Sequence, residues 1–524
     1  MKSYFLRIIA LWVRGLILAL LSVSLVALFT QSAHAQVRFV RAYGRPGYNE
    51  ARSVQRTSDG GYIVAGWTTY IGTFNTDILL IKTDAFGDVQ WAKTYGGTGT
   101  EEAYSVQQTS DGGYIVAGTT TSFGAGGNEI LLIKTDAFGN LQWAKTYGGT
   151  LADFANSVQQ TSDGGYIVAG ITWSFGGGGD ILLIKTDANG DVQWAKTYGG
   201  TSADVANSVQ QTSDGGYIVA GTTTSFGAGG NEILLIKTNA FGNLQWAKTY
   251  GEAGNDVAYS VQRTSDGGYI VAGTTTSFGA GSLDILLIKT NASGNLQWAK
   301  TYGGTSDEEA YSVQQTSDGG YIVAGYTGSF GGGSWDIFLV KIDTFGNLQW
   351  VKTYGGTGSD QARSVQQTSD GGYIVAGWTY PNVFLIKTDA NGDIGSCSIV
   401  SSAIPTLGII SPRVDVASPS VSSPSLSVNS VSPTDTSPAL MILIPCPSNI
   451  SESCQIVSGI ITPYKGGIKV SGSGEFEVKV YNVSGGMVKS VKGKDEVKLE
   501  LSRGVYFVEV VSGGKVIREK VVIR

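Results

Sequence analysis

The chain has 524 residues, with 36 basic and 42 acidic side chains, one histidine and a formal net charge of −6. A surplus of acid argues against a nucleic-acid partner. The single histidine, His34, lies in a segment with the marks of a cleaved leader, so the remainder has no imidazole for a Ser-His-Asp or Cys-His mechanism or a His-ligated zinc.

That leader comes first along the chain. Lys2, Arg7 and Arg14 precede an apolar run at 16–29, and Ala33-His34-Ala35 fits the small-x-small cleavage pattern. Residues 1–35 are predicted to be a signal peptide, with the mature chain starting near Gln36. Cleavage removes three of the 36 basic residues and no acid, leaving 33 against 42. No later stretch offers the roughly 20 apolar residues of a membrane-crossing helix, so no transmembrane span is expected after cleavage.

Residues 36–396 are a tandem array. TSDGGYIVAG recurs seven times, and its Asp (Asp59, Asp111, Asp163, Asp214, Asp266, Asp318, Asp370) steps by 52, 52, 51, 52, 52 and 52 residues. Periods of this length belong to solenoids or propellers. In the unit at 103–149, four strands are predicted: SVQQT (105–109), GYIVAGTT (113–120), EILLIKTD (129–136) and LQWAKTYG (141–148). The middle two are nearly continuous apolar runs, as strands covered on both faces should be, while the fourth alternates like an edge. Gly-bearing turns at 110–113 and 136–140 join them. Each unit therefore reads as the four-stranded blade of a β-propeller.

Closure has its own signal. The seventh unit ends after VFLIKTDANGD (383–393) without a fourth strand, whereas VRFVRAYG (37–44) aligns with VQWAKTYG (89–96), placing Phe39 at the Trp position and Tyr43 at the Tyr position. Pairing of this N-terminal strand with 384–388 would shut a seven-bladed ring and remove a long sheet edge.

Beyond the ring, 397–454 is Ser/Pro-rich and reads as an extended linker. Alternation returns over 455–524 in six short segments, the pattern of a small C-terminal β-sandwich. Cys397, Cys446 and Cys454 fall in the linker region. An exported chain meets oxidising conditions, but any pairing leaves one cysteine over and the choice stays open; no CxxC favours redox chemistry over a staple.

The stretch DILLIKTDAFGNLQWAKTYGG followed by SVQQTSDGGYIVAG resembles the secreted bacterial and archaeal β-propeller repeat proteins and, at a greater distance, kelch repeats, which share the glycine closing the second strand and a spaced Tyr and Trp. The C-terminal pieces VYNVSGG, RGVYFVEV and KVVIR resemble the sorting domain of the type IX secretion system. That resemblance implies secretion or display at the cell surface, with the C-terminal domain engaging secretion or attachment machinery.

In a ring of copies, residues shared by every unit read as scaffold, and a ligand site breaks the symmetry. The outer-strand tryptophans (Trp91, Trp143, Trp194, Trp246, Trp298, Trp350) read as packing at the blade junctions. Glu101, Asp153, Asp204, Asp256, Glu308 and Asp360 occupy equivalent loops, with Asn49 in the seventh; they either bond backbone N–H groups or gather a cation at one mouth. DANGD at 187–191 and 389–393 (Asp187, Asn189, Asp191; Asp389, Asn391, Asp393) reads first as a hairpin turn, with calcium the alternative. No other cofactor is implied.

Symmetry breaks through aromatics. Unit one has Trp67 and Tyr70, unit six Tyr326 and Trp335, and unit seven Trp378 and Tyr380. Closure makes these units neighbours and would gather the six on one loop face, either as a platform for a glycan or a protein partner or as packing at the seam. The expectation is an exported, non-catalytic binding or adhesion protein; a carbohydrate-active enzyme and a structural surface component are the alternatives.

Overall fold

The computed structural model describes residues 37–44, 47–69, 75–124, 126–395, seven short strands between 400 and 443, and most of 460–523. The predicted leader, Tyr70 and the three cysteines lie outside the described residues. Two compact units are separated at Pro447.

The first unit is a seven-bladed ring. Blade 2 shows the plan, with strands Glu101–Gln108, Tyr114–Thr120, Glu129–Thr135 and Leu141–Gly148 paired in order. The seventh blade takes its fourth strand from the N-terminal side: Phe39–Gly44 runs antiparallel to Asn382–Thr388, with Tyr43 opposite Val383 and Phe39 opposite Lys387. The predicted closure is what the structure contains.

Each first strand starts earlier than its alternation suggests. Between Ala103 and Ser105 the ladder slips by one residue, and the same β-bulge recurs in every blade, so Tyr104 and its equivalents stand outside the register. A bulge reverses the in–out phase, which hides the strand's first half from a period-two reading. Gly118 sits opposite the bulge, and a Cβ there would fall 1.9 Å from the carbonyl oxygen of Glu102. The closing glycine of the decapeptide thus admits the bulge.

The rest of the decapeptide clamps a lysine. Lys134 in the third strand is 4% exposed, and its Nζ donates to Asp111 Oδ2 (2.8 Å), the Thr135 carbonyl (2.8 Å) and Gln142 Oε1 (3.0 Å). Asp111 Oδ1 in turn accepts from Thr109 Oγ1 (2.5 Å) and the N–H of Gly113 (3.0 Å). The lysine–aspartate pair repeats in all seven blades, while the glutamine is present in six and Arg38 takes its place in the seventh. Burial alone would raise the Asp111 carboxyl, but these hydrogen bonds and the lysine charge outweigh it and hold the group at about 2.

Blades are tied side to side by further repeated groups. Tyr250 is fully buried and donates to the carbonyl of Gly294 in the next blade (2.5 Å), and Trp246 meets Tyr269 with ring centroids 6.1 Å apart. At the axis, serine Oγ and glutamine Oε1 of each first strand accept N–H groups of the following one. The circle is completed at the seam by Val54 N to Ser364 Oγ (3.2 Å) and Arg56 N to Gln366 Oε1 (2.8 Å).

The stretch read as a linker departs from expectation. It travels back around the rim and adds one short antiparallel strand to every blade: Val400–Ser401 on blade 6, Thr406–Ile410 on blade 5, Arg413–Val416 on blade 4, Ser420–Ser422 on blade 3, Ser427–Ser430 on blade 2, Thr434–Thr436 on blade 1 and Met441–Leu443 on the closing strand of blade 7. Register is strict. Val400, Leu407, Val414, Val421, Val428, Asp435 and Ile442, seven residues apart, stand opposite Tyr354, Tyr302, Tyr250, Tyr198, Tyr147, Tyr95 and Tyr43. Seven extended residues reach about 25 Å at most, which sets the step between blades. Pro405, Pro412, Pro419 and Pro433 each directly precede a belt strand in sequence, where a missing N–H does least harm to a ladder. The prolines punctuate pairing rather than forbid it.

In the second unit, five strands (Ile460–Tyr464, Gly467–Asn482, Met487–Glu500, Gly504–Ser512, Lys515–Ile523) make one antiparallel sheet. Four of the six predicted segments merge in pairs, two in the 16-residue strand Gly467–Asn482 and two in Met487–Glu500, and Ile460–Tyr464 is a strand beyond the six; Gly467–Asn482 pairs with three of the other strands.

Candidate functional site

Each first strand enters from the face that carries the loops between second and third strands; there Thr121 N donates to the Thr100 carbonyl (2.9 Å). It ends in glutamine at the opposite face. The axial channel, about 210 Å³, is lined at its floor by the same Val and Gln of every blade and by Ser53, Ser312 and Ser364. At its mouth the copies diverge. The bulge positions are Arg52, Tyr104, Asn156, Asn207, Tyr259, Tyr311 and Arg363, within an Ala-x-Ser-Val-Gln frame that never changes.

The divergent side chains form two aromatic groups. In the first, Tyr48 stacks on Trp67 (5.0 Å) and lies 6.0 Å from Trp378 and 5.6 Å from Tyr380. In the second, Tyr311 meets Tyr259 (4.9 Å) and Tyr326 (6.1 Å), and Tyr326 meets Trp335 (5.2 Å). Between them, Arg363 lies over the Tyr311 ring at 4.0 Å and shares the buried Glu50 with Arg52, whose guanidinium is 5.7 Å from the Tyr104 ring. Arg52 Nε is 2.8 Å from Glu50 Oε1, a contact of charge whose direction falls outside hydrogen-bond alignment. Burial raises the Glu50 carboxyl against the pull of both arginines. Tyr104 donates to Glu102 (2.5 Å) and Tyr326 to Glu309 (2.9 Å). The indole N–H groups of Trp67 and Trp378 are buried without an acceptor among the described residues; an unsatisfied buried donor costs about 1–3 kcal/mol.

Two family models match this chain. Residues 462–524 match a secretion system C-terminal sorting domain, and 264–296, in the fifth blade, match a β-propeller domain of unknown function. The chain is a β-propeller protein with a secretion sorting domain. The regulatory protein FlaEY of Caulobacter vibrioides is 24% identical over 225 residues, covering 36% of this chain and 23% of that protein, so the propeller protein spans under a quarter of its relative's length. Crystal structures of Sqt1 from Chaetomium thermophilum are similar at 11% identity, with TM-scores of 0.40 (69% of this chain, 87% of that one) and 0.39 (64% and 81%).

Of the six aromatics singled out in the propeller's sequence, five are described. Trp67, Trp378 and Tyr326 sit on second strands rather than in loops, and Tyr326 is 5% exposed; Trp335 and Tyr380 stand at the surface. Tyr48, Glu50, Arg52, Tyr259, Tyr311 and Arg363 escaped the sequence reading. For Arg52, Tyr259, Tyr311 and Arg363 the signal was available: the one residue between Ala and Ser that changes from copy to copy.

The repeated acids open their first strands and are buried. Each receives a backbone N–H, as in Gly149 N to Asp153 Oδ2 (2.9 Å) and Gly356 N to Asp360 Oδ2 (3.0 Å). A second acid from the third strand converges with each of them over the Gly that ends the fourth strand: a Cβ on Gly199 would lie 1.9 Å from Asp180 Oδ1 and 2.9 Å from Asp204 Oδ2. Burial, then the neighbouring carboxylate, raises Asp180, Asp284 and Asp336. At the seam both members are amides, Asn49 and Asn382.

The two DANGD stretches form the same turn as DAFGN. Asp187 Oδ1 accepts the N–H groups of Asn189 (2.8 Å) and Asp191 (2.9 Å), as Asp136 Oδ1 accepts those of Phe138 and Asn140 (both 2.8 Å). Asp389 does likewise with Asn391 and Asp393, while Asp191 and Asp393 take Lys145 and Lys352 from the preceding blades.

Proposed function

We propose that the protein is an exported, non-catalytic binding protein that offers the channel mouth to an extracellular glycan, while its C-terminal domain serves sorting or attachment at the cell surface. One observation carries the reading. Seven near-copies of a blade, alike in most of the groups that hold them together, diverge around one opening and place two aromatic groups and two arginines there. A scaffold need would have kept those positions alike, as it kept Tyr250 and its six equivalents alike. Flat rings suit sugar faces, and a few fixed polar groups set orientation.

The test is a glycan array with the full chain and with a Trp335→Ala, Trp378→Ala double variant, followed by chromatography of every bound glycan. Binding that weakens about tenfold or more in the variant, with each glycan recovered intact, supports the reading. Bond cleavage would make the protein an enzyme. Binding untouched by the double substitution would move the site away from the mouth.

A further inference from the structure

The chemical class of the ligand follows from which groups at the mouth are partnered. This step rests on the binding reading above and narrows it.

Arg52 and Arg363 come from blades 1 and 7, made neighbours by closure. Among the described residues, their partners are Glu50 and the rings of Tyr104 and Tyr311. Both side chains remain reachable, at 28% and 14% exposed, whereas Glu50 is at 5%. One buried carboxylate supports two guanidiniums through their Nε sides, and among the described residues no hydrogen-bond acceptor meets the Nη edges of either fork. Trp67 stands across the ladder from Glu50, and Trp378 across from Gln361, so the two unsatisfied indole N–H groups belong to the same seam. The flanking carboxylates Glu102 and Glu309 are occupied by phenols. Of the three carboxylates at this place, Glu50, Glu102 and Glu309, only Glu50 is an ion-pair partner of the two arginines among the described residues. Guanidinium forks match the paired oxygens of carboxylate and sulfate groups.

We propose that the mouth recognises an acidic polysaccharide, with Arg52 and Arg363 clasping a carboxylate or sulfate on a sugar that stacks against Tyr48, Trp67 and Trp378. The test is calorimetric titration of the full chain with dextran, carboxymethyl-dextran, dextran sulfate and polygalacturonate. The charged polymers should bind, plain dextran should not, and affinity should fall as salt rises. The carboxymethyl and sulfate arms identify the oxyanion. Arg52→Gln and Arg363→Gln should each weaken binding about tenfold or more, with melting temperatures confirming the fold. If either glutamine variant fails to fold, Arg52→Lys and Arg363→Lys, which keep charge but lose the fork, take its place and should still weaken binding.

Dextran binding as tightly as its charged derivatives overturns the inference and leaves glycan binding intact. So does charged-polymer binding that survives the substitutions, or neutral glycans alone responding on the array. Silence from all four polymers and from the array overturns both readings and turns attention to an acidic protein partner.

Discussion

Two repeats coexist in this molecule and carry information differently. The 52-residue unit builds a blade whose side chains hold it together and lock it to the next, through Lys134 in its clamp or Tyr250 on Gly294. The seven-residue unit of the belt builds nothing alone; it borrows an edge from each blade, and what it must get right is spacing. Long repeats of the first kind fail by substitution, and short ones of the second kind fail by length.

The largest effect should come from the blades. Tyr250→Ala opens a cavity at a junction and removes a buried hydrogen bond, for a loss of about 3–5 kcal/mol in chemical denaturation, whereas Tyr250→Phe loses the hydroxyl alone, about 1 kcal/mol. Equal effects from the two would show that the hydroxyl, not the packing, secures the junction.

Next comes belt length. Deleting residues 417–419 leaves too little chain to pass from blade 4 to blade 3, and amide exchange should quicken along the fourth strands of blades 3, 2, 1 and 7 while blades 4 to 6 keep their protection. Stability should fall by roughly 1–3 kcal/mol. Removing 417–423 instead keeps the phase and should expose blade 7 alone. The same exchange pattern from both deletions would refute a belt counted in sevens.

Acid probes the clamps. Asp111, Asp163, Asp214 and Asp266 are held at about 2, through lysine, threonine and backbone hydrogen bonds that overcome burial. Carboxyls lowered in the folded state add stability above their unfolded value of about 3.9 and lose it as pH falls through the folded value. The melting temperature should therefore decline between about pH 4 and pH 2, and less steeply in Asp214→Asn. An identical slope in that variant would remove the clamps from the explanation. Smallest of all, Val421→Thr in the belt should change stability by no more than about 0.5 kcal/mol, since the backbone does the pairing.

The sequence showed the ring well because its evidence is redundant. Seven copies fix the period, and the missing strand of the last unit reappears around Phe39 and Tyr43. The belt was hidden by composition: Ser and Pro dominate it, and a Val, Leu or Ile at six of the seven places in the series, with Asp435 at the other, is faint beside them. The lysine of the clamp was absorbed into an apolar run, although Lys134 and Asp111 recur together in all seven units. The mouth was read only in part, for a different reason. Aromatic residues drew notice in the loops, while the bulge that turns Arg52 and Arg363 into the opening reverses strand phase and leaves no periodic trace.

The belt also decides how the molecule would bear load. In chain order, the stretch beyond residue 447 follows the belt, whose strands run from Met441–Leu443 back to Val400–Ser401. Tension from a C-terminal tether would therefore peel up to seven short contacts in turn, each releasing about 25 Å of slack, before any blade felt the pull. Under such a pull the molecule would yield in small steps and keep its channel mouth whole.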